Sequence, residues 1–139
     1  MRKELFDHEI TILRDTFRRL LRRNANTNLA KLIDKTHPAD LAIIFRYFLD
    51  EEQEQVFSIM KANEQTAAFL VELDDTILQN LLEEENPERI SALIRQAPVN
   101  DQSYILGNLG EEKAQSVIDL LKLEEKEEIE ELMGYPEDS

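Results

Sequence analysis

His37-Pro38-Ala39-Asp40-Leu41-Ala42 opens a unit of roughly 24 residues that then recurs along the chain. Small residues mark its first helix at Ala42, Ala67, Ser91 and Ala114, and a large apolar residue follows each at plus three: Phe45, Leu70, Ile94 and Val117. A second apolar mark falls at Val56, Leu81, Ile105 and Ile129. Two helical marks per period, with turn residues between them, predict stacked helical hairpins. The small residue lets helices approach closely, and the large one fills the space between layers.

Outward from that stretch, residues 1–23 read as one long helix. Phe6, Ile10, Leu13, Phe17 and Leu20 make a single apolar seam. Arg14, Arg18 and Arg22 lie on another face, which reads first as a solvated basic face and alternatively as a docking surface for acidic residues. Asn24 to Asn28 breaks the pattern, and Leu29 to Lys35 reads as a short helix. Beyond His37, the expected helix starts are Pro38, Asp50 (with Gln53 at N3), Asn63, Asp74-Asp75, Asn86-Pro87, the turn Ala97 to Asp101, and Gly110. The last helix, about Leu123 to Met133, is sheathed in glutamates, as suits the end of a stack, and Gly134 supplies a left-handed stop. The expectation is an all-α, armadillo- or HEAT-like stack of about ten helices with no sheet. Residues 1–36 form the opening helices, 37–133 the repeat body, and 134–139 an extended exit towards further chain.

Composition narrows function mainly by exclusion. The 139 residues contain no Cys, which removes disulfides and thiol chemistry. No apolar run approaches the roughly 18–20 residues of a membrane span. Up to Thr36 there are nine basic and five acidic residues; from His37 on there are seven basic and 25 acidic ones. A net charge of −14 argues against a nucleic-acid partner, which needs a basic face, and suits cations or a basic partner. His8 and His37 are remote in sequence, no glycine-rich phosphate loop is present, and Ser58, Ser91, Ser103 and Ser116 have no nucleophile context. The residues therefore point away from an enzyme. Paired carboxylates could hold a hydrated Mg²⁺, an ion that often takes only one or two protein carboxylates, but such residues are more often a solvated face than a binding site.

The opening His37-Pro38-Ala39-Asp40-Leu41-Ala42, the run of short helices after it, and the ending Tyr135-Pro136-Glu137-Asp138-Ser139 resemble the cytosolic N-terminal domain of MgtE-type magnesium transporters. That resemblance implies a right-handed helical superhelix at the cytoplasmic face of the cell membrane. It further implies that the chain leads into a pair of CBS domains and a transmembrane pore, in a homodimeric protein. Mg²⁺ at the interface with the CBS domains would screen facing carboxylates and favour the closed pore. The family's acidic pattern at the start of the eighth helix is here Asn100-Asp101-Gln102-Ser103-Tyr104, so Asp101 alone is carried over as a metal ligand. The competing expectation is a protein-binding scaffold, armadillo-like or similar to the flagellar motor switch protein FliG, with no cation dependence.

Overall fold

A computed structural model describes residues 2–121 and 123–134, with side chains from 7 to 121 and from 125 to 134. The expected exit at 135–139, and the side chains of Phe6 and Leu123, lie outside the described residues. Within them the chain forms ten helices and no strand: α1 (Arg2–Arg22), α2 (Asn26–Lys35), α3 (Pro38–Phe45), α4 (Asp50–Ile59), α5 (Glu64–Glu72), α6 (Asp75–Glu83), α7 (Pro87–Ile94), α8 (Val99–Gly107), α9 (Glu111–Asp119) and α10 (Leu123–Leu132). Odd-numbered helices stack in one layer and even-numbered helices in the other, each packed on its neighbour two elements away. Helices α6 and α8 approach less closely than other neighbours in their layer, and α8 leans instead on α5, α7 and α10.

The repeat marks form the core. Ala42, Ala67, Ser91 and Ala114 are buried, as are Phe45, Leu70, Ile94 and Val117, and Val56, Leu81, Ile105 and Ile129. Phenylalanines concentrate in the first half of the stack. Phe45 meets Phe69 edge-on at 4.8 Å between ring centroids and Phe48 at 5.4 Å, and Phe48 meets Phe17 at 5.9 Å. The seam of α1 is broader than expected. Ile10, Phe17 and Leu21 are its buried members, while Leu13 and Leu20 are partly covered. Both α2 and α3 pack on α1, so the buried stripe widens to include Leu21, which sits 24 residues before Phe45.

Several helix starts follow the expected chemistry. The Nδ1 of His37 accepts from the Ala39 N–H at 3.1 Å, with Pro38 in the first turn. The side-chain oxygens of Asn63 and Asn86 accept from the N–H groups of Thr66 and Arg89 at 2.9 and 2.8 Å. Two starts differ from expectation. Helix α2 begins at Asn26 rather than Leu29, because Asn24 takes a left-handed φ of 52°, which asparagine tolerates, and closes the turn in fewer residues. Helix α4 is capped from Leu49 rather than Asp50. Its N3 residue is therefore Glu52, whose carboxylate accepts from the Leu49 N–H at 2.7 Å. Gln53, expected at that N3 place, is buried and donates to the Phe45 carbonyl at 2.8 Å.

The structure also exposes a longer period than 24. Helices α3 and α4 start 49 positions before α7 and α8. The cap-plus-proline pairs His37-Pro38 and Asn86-Pro87 share that offset. So do Arg46 and Arg95, which stand at the C-caps of α3 and α7. Buried Gln53 has its counterpart in Gln102, which donates to the Ala97 carbonyl at 2.7 Å. The longer unit is thus four helices long, although the two glutamines use different carbonyls of the preceding turn.

Candidate functional site: the acidic faces and the cavity at Asp101

Four cations of the body, Arg46, Arg89, Arg95 and Lys113, bond across the stack, while Lys61 is exposed. Arg89 on α7 reaches the C-terminus of α4, donating to the carbonyls of Phe57 at 2.6 Å and Met60 at 2.9 Å. It also pairs with Glu85 at 2.8 Å and lies over the Phe57 ring at 4.4 Å. Lys113, 24 residues later on α9, does the same for α6, donating to the carbonyls of Leu82 (2.9 Å) and Glu83. Arg46 forms a two-pronged pair with Asp74 at 3.1 Å, and Arg95 donates to the Leu120 carbonyl and pairs with Glu125 at 3.7 Å. Each cation meets carbonyls at a helix C-terminus, where the macrodipole is negative, or a carboxylate. Lys126 pairs with exposed Asp119, whose carboxyl is held below the usual range first by a hydrogen bond from Gln115 and then by Lys126.

The basic face of α1 is only partly solvated. Arg14 lies over the Tyr47 ring at 5.6 Å, and Arg18 donates to the Tyr47 carbonyl at 2.5 Å and to Glu52 at 3.4 Å. Arg19, Arg22 and Arg23 remain exposed. The docking alternative therefore holds for Arg18, which reaches Glu52, whereas Arg14 pairs with its neighbour Asp15 and meets only the ring of Tyr47 across the turn. Tyr47 and Glu52 lie across the α3–α4 turn, which only the stacking of α1 on α3 brings within reach.

With the cations committed in this way, carboxylates gather in open cavities. One of about 230 Å³ between α4 and α6 is lined by Asp50, Glu54, Glu83 and Glu84. Another, of about 440 Å³, holds the one residue singled out as a metal ligand. Asp101, half-buried at the third position of α8, faces Glu64, Ala67 and Ala68 of α5 across the turn of Gln96, Ala97 and Pro98. Asn100 is exposed beside it. Tyr104 has a different task from a ligand: its phenol donates to the Asp75 carboxylate at the start of α6. That hydrogen bond, together with burial and the Asp75 charge, raises the phenol above its usual value of 10. Among the described residues, no group of three or more His, Cys, Asp or Glu side chains is arranged to hold a metal ion. Asp101 and Glu64 together offer two carboxylates, enough to help hold a hydrated Mg²⁺ but too few to enclose a bare ion.

The family model described as the MgtE intracellular N domain matches residues 36–138. The chain belongs to that family. A crystal structure described as the soluble part of a magnesium transporter shares its fold, with a TM-score of 0.75 over 94% of this chain at 15% identity. The match takes in 51% of that chain, so this MgtE N domain spans about half the length of the protein it resembles. No curated protein matches it by sequence. No helix among the described residues is long and apolar enough to cross a membrane.

Proposed function

We propose that this MgtE N domain is the Mg²⁺-sensing gating domain of a magnesium transporter. It acts at the cytoplasmic face of the membrane and packs against downstream CBS domains of a homodimer when Mg²⁺ is high. The observation that carries this reading is the distribution of charge. Arg46, Arg89, Arg95 and Lys113 are all engaged within the stack, which leaves an outward surface dominated by carboxylates. Two such surfaces repel one another until cations bridge them. The ion then shifts the equilibrium towards the packed state by its differential affinity for that state.

The test is small-angle scattering on the chain joined to its natural downstream region, titrated with MgCl₂ and, separately, with NaCl at matched ionic strength. Compaction at millimolar Mg²⁺ but not with NaCl supports sensing. Equal behaviour in the two series leaves a helical-repeat scaffold that binds partners without cation control, and sinks the sensing role.

A further inference from the structure

The four-helix repeat gives the cavity at Asp101 an internal precedent. In the first unit, Arg18 on α1 bridges the Tyr47 carbonyl at the α3–α4 turn and the Glu52 carboxylate at the third position of α4. Moved along by 49 positions, those three residues become Ala67, Gln96 and Asp101. All three line the same cavity of about 440 Å³. The surrounding helices correspond as well, since α1 packs on α3 as α5 packs on α7. The second unit therefore keeps a carbonyl and a carboxylate at the corresponding positions and lacks the arginine that joins them.

Two further substitutions accentuate the difference. Leu49, whose N–H donates to Glu52, corresponds to Pro98, which has no N–H to give. Asp101 is thus denied the backbone bond that satisfies its counterpart. Glu64, one turn before Ala67, adds a second carboxylate to the cavity wall close to where Arg14 would map.

We propose that this cavity is a receptor for an arginine side chain presented by a partner protein segment, which takes the place that Arg18 fills in the first unit. A guanidinium suits it better than a compact ammonium or a metal ion. Its planar fork donates to a carbonyl and a carboxylate at once, as Arg18 does. The two carboxylates supply the charge complement. The proposal does not depend on Mg²⁺ sensing: a domain that fails to compact with Mg²⁺ but still binds arginine would leave it intact.

The test is an amide NMR titration of the full chain with the tripeptide acetyl-Gly-Arg-Gly-amide, using the norleucine analogue as control. Saturable shifts at Ala67, Gln96 and Asp101 with the arginine peptide alone are expected. Asp101→Asn should weaken binding about tenfold, the usual scale for a hydrogen bond to a charged group, and Glu64→Gln by less. Arg18→Ala should create a second set of shifts around Tyr47 and Glu52 by opening the equivalent place in the first unit. Absence of shifts, equal shifts with the norleucine peptide, or MgCl₂ saturating the same amides and displacing the peptide at low millimolar concentration would each overturn the assignment.

Discussion

The α3–α4 turn and the α7–α8 turn occupy equivalent places in two successive four-helix units, and they are finished differently. At the first, Arg14 and Arg18 cover Tyr47 and Glu52, and Leu49 completes the start of α4. At the second, Ala67 and Glu64 leave Gln96 and Asp101 facing an open cavity. At the first turn Arg18 joins a carbonyl to a carboxylate, although Tyr47 and Leu49 stay exposed; at the second the corresponding carboxylate lines a cavity with no arginine across from it. The same contrast runs through the core, with aromatic packing around Phe45 and aliphatic packing around its counterpart Ile94. The two units share a frame, and a few substitutions at corresponding positions change how each turn is finished.

The comparison can be broken most severely in the core. Phe45→Ala should cost about 3–5 kcal/mol and Ile94→Ala about 2–4 kcal/mol, since the phenylalanine removal leaves the larger void. Urea unfolding followed by helical circular dichroism measures both, and an Ile94 loss exceeding that of Phe45 would show the second unit to be the tighter one. Next comes the cation that seals α4. Arg89→Met keeps the stem and removes the donors, leaving the carbonyls of Phe57 and Met60 without their partner, and should cost about 2 kcal/mol. Removing Arg18, by Arg18→Ala, should cost about 1 kcal/mol, because its ion pair with Glu52 is long and partly exposed, so the site can be rehydrated. If Arg18→Ala instead destabilises as much as Arg89→Met, the first turn is a core element and the two turns are not comparable.

The smallest effect belongs to Tyr104, which ties α8 to α6. Because its phenol is raised in the folded state, its contribution is fully present below the unfolded value near 10. That contribution is lost as pH climbs through the higher folded value. Ultraviolet titration should therefore show one tyrosine ionising later than the others, and Tyr104→Phe or Asp75→Asn should abolish that late step. A late step persisting in Tyr104→Phe would assign it elsewhere.

Much of this arrangement is legible in the chain before any fold is known. The positions that recur every 24 residues are buried because periodic spacing fixes which side of a helix a residue occupies, and a side that is apolar in every repeat must be covered by the next. Asn63, Asn86 and Pro87 act as expected because capping is settled within three residues. Leu49 and Glu52 were harder to read because Asp50 and Gln53 offer the same cap-plus-N3 pattern one residue later, and burial of Gln53 decides between them. The expectation for Asp101 came from a family pattern, and the cavity around it needed α5 to be folded against α8.

By itself, then, the sequence determined an all-helical stack, the residues at its core, and an acidic body behind a basic first helix. Those properties follow from local spacing and from composition. The tertiary structure decided where each charge ends up. The bonds of Arg18, Arg46, Arg89 and Lys113 across the stack join residues 28 to 34 apart, a separation set by how one helical pair lies on the next. Whether a carboxylate is paired with a cation or faces a cavity is a matter of a few ångströms across that step. At the α7–α8 turn, the step brings Asp101 opposite an alanine where its counterpart meets an arginine.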